Sequence, residues 1–76
     1  MSLKIRSTNY KDININLENL YKISDLKNEI SKQLNMKQNK QMLIFENKEL
    51  IDDKLISDYN INKESLVLLY CRNKGG

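Results

Sequence analysis

An apolar run of six residues near the end of the chain limits its fold more than any other sequence feature. The run is Leu66-Val67-Leu68-Leu69-Tyr70-Cys71, which is rich in strand-forming residues. It has the length of one strand and is too short to span a membrane. Because side chains alternate between the two faces of a strand, this strand carries apolar residues on both. We therefore expect a sheet in which it presents one apolar face to the core and another to the opposite side.

Size and composition predict one small globular domain. A chain of 76 residues buries only about 60% of the surface of its unfolded state, so its stability depends on a well-packed core. The single cysteine excludes an internal disulfide, which fits a reducing compartment. No signal peptide, lipidation motif or apolar run of about 18 residues is found. We expect a soluble monomer of the cytoplasm and nucleus that does not bind membranes.

The residue types that carry catalysis are scarce. There is no histidine, no glycine-rich phosphate loop, and no partner for the lone Cys71. The net charge is +3, but the lysines are scattered among ten acids, whereas a nucleic-acid groove clusters arginines with aromatics. We expect neither an enzyme nor a nucleic-acid-binding protein, with no catalytic residues, no metal and no cofactor.

The first half of the chain predicts a hairpin followed by a helix. Leu3 and Ile5 alternate with polar residues, as do Ile13, Ile15 and Leu17. In the break between these strands, Asn9 is the best candidate for a left-handed backbone. Apolar residues at spacings of three and four then predict a helix. Its apolar stripe consists of Ile23, Leu26, Ile30 and Leu34.

The ends of this helix are marked unequally. Lys22 is a poor cap, whereas Asn35 offers a left-handed stop. Lys27 lies beside the apolar stripe, where its charge needs a partner.

The second half predicts three more strands. One spans Gln41 to Phe45, a short one lies around Leu50, and the final apolar run closes the sheet. An irregular polar segment, held by Ile56, Tyr59 and Ile61, precedes the last strand. The order strand-strand-helix-strand-strand-strand predicts an α+β roll with a mixed sheet of four to five strands on one helix.

Both late strands are apolar on two faces. If Leu43, Val67 and Leu69 face the helix, the opposite face carries Met42, Ile44, Leu68 and Tyr70. In so small a domain nothing covers that face, and an exposed apolar patch usually marks a partner site. A homodimer contact or a covering helix outside this chain is the alternative.

Gly75 and Gly76 are the only glycines. Glycine has no Cβ and fits narrow channels, so the pair suits a thin tether that delivers a carboxylate into an active site. From the dipeptide alone, a frayed terminus or a cloning remnant is the better explanation.

The whole chain resembles ubiquitin and its modifier relatives, without a gap. The resemblance is carried by Gln41-x-Leu43-Ile44-Phe45-x-x-Lys48-x-Leu50, by Ser57-Asp58-Tyr59-Asn60-Ile61-x-Lys63-Glu64-Ser65, and by Arg72 with Gly75-Gly76. It implies a β-grasp domain over residues 1–72 and a flexible conjugation tail over residues 73–76.

The resemblance also implies roles for single residues. An activating enzyme would recognise Arg72 and adenylate the carboxylate of Gly76, with Gly75 sharing its narrow channel. Conjugating and ligating enzymes would then join Gly76 to lysines of target proteins. Ile44 would be the centre of a patch bound by ubiquitin-receptor-type proteins, together with Thr8, Met42, Leu68 and Tyr70. The lysines that match chain acceptors are Lys11, Lys27, Lys48 and Lys63, and Asp52 matches the family's partner for Lys27.

The chain departs from the family pattern at functional positions. Thr8, Leu68 and Tyr70 replace a leucine, a histidine and a valine around Ile44, so the patch should be recognised differently. In the tail, a leucine, a leucine and an arginine are replaced by Cys71, Asn73 and Lys74. The positions that look more like the cullin-modifying relative of the neddylation pathway are Lys4, Ile15, Lys22 and Lys54. Arg72 argues against that assignment, because that relative carries a small apolar residue there.

Two functional hypotheses follow. The chain is either a covalent modifier or a non-conjugated ubiquitin-like domain that docks a larger protein onto receptors through the Ile44 patch. An end at Gly76 favours the modifier, with the cullin-modifying type as a variant of it.

Overall fold

A computed structural model describes residues 1–72 of the protein. Within them, five strands and one α-helix alternate with short connections. The strands are β1 (Ser2–Ser7), β2 (Ile13–Asn16), β3 (Gln41–Phe45), β4 (Lys48–Glu49) and β5 (Leu66–Cys71), and the helix is α1 (Ile23–Leu34). Two 3-10 turns, Gln38–Lys40 and Ile56–Tyr59, precede β3 and β5.

The five strands form one mixed sheet in the order β2-β1-β5-β3-β4. The last strand, β5, lies in the middle, parallel to β1 and antiparallel to β3. Neighbouring strands pair with both edges of β5, and α1 covers one of its faces, which explains the apolar residues of that face only. The predicted α+β roll with a mixed sheet on one helix is confirmed.

The core lies between the helix and the inner face of the sheet. The apolar stripe predicted for the helix is buried at Ile23, Leu26 and Ile30, and Leu34 packs partly against the same cluster. From the sheet, this cluster receives Leu3, Ile5, Ile15, Leu43, Phe45, Val67 and Leu69. Ile56 and Ile61 close it from the segment before β5, where the hydroxyl of Tyr59 accepts a hydrogen bond from Ile51 N at 2.9 Å.

The two ends of α1 are held by different devices. Lys22 at the N-cap makes no side-chain cap, but the carboxylate of Asp25 accepts hydrogen bonds from Lys22 N at 2.9 Å and Tyr21 N at 3.1 Å. These donors, Lys22 first and then Tyr21, lower the pKa of Asp25. At the other end Asn35 is left-handed, with φ of 56°, and its N–H donates to Ser31 O at 2.8 Å. The predicted stop at Asn35 is confirmed.

Two local predictions differ from the structure. Asn9 is not among the described residues with positive φ, because the loop from residue 8 to residue 12 is long enough to reverse the chain without a tight turn. The fourth strand comes earlier than predicted, since Glu46 and Asn47 form the turn with φ of 52° and 65°. Leu50 follows the strand and is buried, with its N–H bonded to Leu43 O at 2.8 Å.

Candidate functional site

The outer face of the sheet, on the side away from α1, carries an apolar patch that we call the outer patch: Met42, Ile44, Leu68 and Tyr70. Met42 pairs with Tyr70, and Ile44 with Leu68, in the antiparallel ladder between β3 and β5. Because directly opposed residues share a face, this register brings the four side chains together. Met42, Ile44 and Leu68 are half-buried, and Tyr70 is 44% exposed. Their neighbours on the inner face, Leu43 and Leu69, are buried, so the two faces fall as the alternation predicts.

Thr8 borders this patch from the loop after β1. An apolar cavity of about 310 Å³ lies here, lined by Arg6, Ser7, Thr8, Leu68, Leu69 and Tyr70. Thr8 itself is exposed. The structure therefore brings Thr8 to the Leu68 and Tyr70 side of the patch.

Both arginines of the chain lie at the border of the outer patch, and each has a carboxylate partner. Arg6 is the β1 neighbour of Leu68, and its guanidinium lies 3.1 Å from Asp12 Oδ2. Arg72, one residue beyond β5, pairs its guanidinium with the carboxylate of Glu49 on β4. Its backbone N–H also donates to Lys40 O. The charges at the rim are therefore partly neutralised within the domain.

The predicted acceptor lysines divide into two groups. Lys11, Lys48 and Lys63 are exposed, as an acceptor of a further modifier needs to be. Lys27 is only 5% exposed, and its Nζ lies 2.6 Å from Asp52 Oδ1. The two roles predicted for Lys27 therefore conflict, because a buried ammonium that donates to Asp52 cannot attack a thioester without local opening of the fold.

The surroundings of Lys27 tie the helix to the sheet. The buried Gln41 side-chain amide donates to Lys27 O at 2.9 Å and to Met36 O at 3.1 Å. Asp52 also accepts a hydrogen bond at its backbone oxygen from Ser24 N at 3.1 Å, near the start of α1. The Lys27–Asp52 pair thus lies where the helix, β3 and the following loop meet.

Three structural residues escaped the sequence reasoning: Asp12, Gln41 and Glu49. Glu49 could be placed on the outer face only from the hairpin register, in which it opposes Ile44. Gln41 is the first residue of the apolar strand β3 and looks like an exposed strand end until its hydrogen bonds to the carbonyls of Lys27 and Met36 are known. The predicted conjugation residues Gly75 and Gly76 lie outside the described residues, so their role stays a prediction.

Two other kinds of site are absent from residues 1–72. No group of three or more histidine, cysteine or acidic side chains is placed there to hold a metal ion. No helix in that range is long and apolar enough to cross a membrane.

The sequence model of the family described as "Ubiquitin family" matches residues 3–74. The chain belongs to the ubiquitin family. Ubiquitin-like proteins and domains are not enzymes themselves, so family membership confirms the expectation that the chain has no catalytic activity. The partners of ubiquitin-like folds are, in general, enzymes of a ubiquitin-like pathway or receptor-type proteins.

Individual relatives are identical to the chain at about one residue in three. Ubiquitin-like protein 4A-A of Salmo salar is 32% identical over 99% of this chain and 49% of its own length. Ubiquitin-like protein 4A-B of the same fish is 33% identical over 99% of this chain and 50% of its own length. The chain thus spans about half the length of these curated relatives. Ubiquitin-like protein NEDD8 of Dictyostelium discoideum is 30% identical over the whole chain and 99% of its own length.

Proposed function

We propose that the chain is a ubiquitin-like protein modifier, activated at the carboxylate of Gly76 and joined by an isopeptide bond to lysines of target proteins. The observation that carries the proposal is the arrangement along β5. This one strand supplies Leu68 and Tyr70 to the outer patch and leads directly to Arg72 at the patch border. Residues 73–76 follow Arg72 in sequence. An enzyme bound at the outer patch would therefore contact the domain close to the residue from which the proposed conjugation tail starts.

The chemistry needs a separate activating enzyme, because a carboxylate is a poor electrophile. A carboxylate oxygen of Gly76 would attack the α-phosphorus of ATP and release pyrophosphate, which forms an acyl adenylate. A cysteine thiolate of the enzyme would then attack the carbonyl carbon, and AMP would leave. Finally a lysine amine of the target would displace the thiol, lose a proton and form the amide.

The tail supplies what this sequence of steps requires. Gly75 and Gly76 have no Cβ, so they can pass a channel that would exclude other residues. Arg72 offers a planar fork of donors that suits acidic groups on the enzyme better than lysine would. Its exposed position at the patch border, 39% for the side chain, leaves it accessible.

The test is a non-reducing gel of the chain with the ubiquitin-type activating enzyme of its own cell, with and without ATP. The intact chain should form an ATP-dependent, reductant-sensitive thioester. Deleting Gly75 and Gly76 should abolish the thioester and leave the circular dichroism spectrum unchanged. If no activating enzyme of that cell charges the intact chain, the modifier proposal fails.

A variant of this proposal makes the chain a cullin-modifying protein of the neddylation type. The full-length similarity to NEDD8 of Dictyostelium discoideum supports it, and Arg72 weighs against it. Arg72→Ala should weaken charging by a ubiquitin-type enzyme and improve charging by the cullin-modifier type. If the cullin-modifier enzyme instead charges the unmodified chain better than the ubiquitin-type enzyme does, the neddylation variant is favoured.

The second candidate function is a non-conjugated ubiquitin-like domain that docks a larger protein onto receptors through the outer patch. The observation that favours it is the similarity to the ubiquitin-like 4A proteins, which are about twice as long as the matched region. The open reading frame discriminates between the two. A long folded continuation after Gly76 supports the docking domain, and a stop codon or a short tail there supports the modifier.

Three further expectations accompany the modifier proposal. The chain would work as a monomer in the cytoplasm and nucleus, where its activating, conjugating and ligating enzymes would be found. Exposed Lys11, Lys48 and Lys63 would serve as acceptors if chains form. Light scattering, microscopy of a tagged chain and lysine-to-arginine variants would test these in turn.

A further inference from the structure

The Arg72–Glu49 pair joins two strands that are not neighbours. Arg72 follows β5 and Glu49 is in β4, while β3 lies between these strands in the sheet. The pair therefore has to cross the outer face of β3. Arg72 N bonds to Lys40 O, and Glu49 opposes Ile44, so Met42 is the outer-face residue between these two levels. The pair forms a strap over the Met42 end of the outer patch.

The Arg72–Glu49 pair is weak enough to open. The side chains of Arg72 and Glu49 are 39% and 40% exposed, so water and salt screen their attraction. A guanidinium that donates to one carboxylate has fewer donors in the right direction for another. An enzyme that recognises Arg72 thus competes with Glu49.

We infer that Glu49 is a specificity-determining residue for activation, because it holds Arg72 on the sheet until the activating enzyme displaces it. This inference rests on the proposed modifier function. In physical terms, the enzyme binds only the population in which Arg72 is released. The apparent affinity is reduced by that fraction, whereas the chemistry at Gly76 is unchanged. Every enzyme that binds released Arg72 loses the same fraction of its affinity, whereas an enzyme that does not bind Arg72 loses none, so Glu49 changes the preference between these two kinds of enzyme.

The experiment measures thioester formation against concentration, with the full chain and the activating enzyme that charges it. Glu49→Gln should lower KM about two- to fivefold, the range expected when a weak exposed pair is removed, and leave kcat unchanged. Glu46→Gln is the matched control, because it removes the same charge from the same hairpin, and no contact of Glu46 with Arg72 is found in residues 1–72. It should leave KM unchanged.

A double-mutant cycle separates competition for Arg72 from a general effect of charge. In an Arg72→Ala background, Glu49→Gln should no longer change kcat/KM, because nothing is left to release. The gain from Glu49→Gln should also shrink at about 1 M salt, where the pair is screened in the unmodified chain. The NMR signal of Arg72 Nε–H should shift in Glu49→Gln and stay in place in Glu46→Gln.

Three results would overturn the inference. An unchanged KM for Glu49→Gln, with the unmodified chain charged normally, removes the inference and leaves the proposed function intact. An equal gain in the Arg72→Ala background means that Glu49 acts through charge alone. Failure of every activating enzyme to charge the unmodified chain removes the proposed function and the inference with it.

Discussion

The two faces of β3 and β5 are built from similar residues and behave differently. On the inner face, Leu43 and Leu69 are fully buried beneath α1. One residue along, Ile44 and Leu68 are only half-buried, although they are just as apolar. The difference comes from what lies opposite, since the helix covers one face and no other element of residues 1–72 covers the second. Apolar side chains that form the core and apolar side chains that no other element of residues 1–72 covers thus alternate along one strand.

Lys27 and Arg72 are cations with acidic partners on opposite sides of the sheet. Lys27 on the inner side has a side chain that is 6% exposed, and Asp52 is its partner. On the outer side, the side chain of Arg72 is 39% exposed, and its partner is Glu49. Asp52 is itself 57% exposed, but a buried ammonium that loses its carboxylate is left uncompensated, whereas a pair with both side chains exposed is exchanged for water at little cost. We therefore expect the inner pair to contribute to stability, and we propose that the outer pair contributes to recognition.

The largest expected effect compares two adjacent leucines of β5. Leu69→Ala should lower the free energy of unfolding by about 2–5 kcal/mol, because it opens a cavity in the core. Leu68→Ala removes the same atoms from the outer face and should cost no more than about 1 kcal/mol. Urea midpoints of the two variants provide the comparison. Equal losses would mean that the outer face is also packed.

The next prediction concerns binding at the centre of the outer patch. Ile44→Ala should weaken a receptor that binds the intact chain by about 2 kcal/mol or more, as expected of a central interface residue. Its stability should change by no more than about 1 kcal/mol. Calorimetric titration and urea unfolding measure the two quantities, and Thr8→Ala at the patch edge should weaken binding less than Ile44→Ala. Should folding and binding suffer alike, the assignment of the two faces would be inverted.

The third prediction tests the buried cation. Among the lysines of residues 1–72 only Lys27 is buried, so Lys27→Ala should be the most destabilising lysine-to-alanine change, by about 1–3 kcal/mol. Lys27→Met retains most of the aliphatic stem and removes the charge, so it should lose less. Chemical denaturation of the lysine series, with exposed Lys48→Ala as reference, is the measurement. A Lys27 variant as stable as the rest would remove the claim that its pairing with Asp52 stabilises the fold.

The smallest effect lies at the start of α1. The pKa of Asp25 is lowered in the folded state by the N–H groups of Lys22 and Tyr21. A lowered folded-state pKa means that the carboxylate stabilises the fold above its ordinary pKa of 3.8, and that this contribution is lost as the pH falls through the folded-state value. Asp25→Ala should therefore be less stable than the unmodified chain at pH 7, with a difference that shrinks below about pH 4. Thermal midpoints across this range would contradict the account if the difference grew on acidification.

The alternation and the helical period were enough to predict the sheet, the helix and the outer patch. They succeed because Leu43 and Leu69 must share a face with the stripe of α1, which leaves Ile44 and Leu68 on the other face. The stop at Asn35 was predictable because left-handed backbone suits asparagine at a helix end. Asn9 shows the limit of the same rule, since a longer loop needs no left-handed residue.

What the sequence could not predict depends on contacts between distant strands. The partner of Arg72 is 23 residues away, on a strand that is its second neighbour in the sheet, and only the strand order reveals it. Gln41 could not be recognised as buried from sequence, because the carbonyls of Lys27 and Met36, to which its side-chain amide donates, come from other parts of the chain. Thr8 was predicted from family resemblance alone, because nothing in a polar loop marks which residue borders a patch.

The central claim, that the outer patch belongs to a conjugated modifier, is tested most directly by mass spectrometry of cellular proteins cut with an arginine-specific protease. Cleavage after Arg72 leaves the branch Asn73-Lys74-Gly75-Gly76 on a modified lysine. A family tail with arginine in place of Lys74 leaves only two glycines, so the longer branch identifies this chain. We predict this branch on lysines of other proteins, and its absence from cells that express the chain without Gly75 and Gly76. If the chain is abundant and no such branch is found, or if its peptides continue past Gly76 into a further domain, the claim is contradicted.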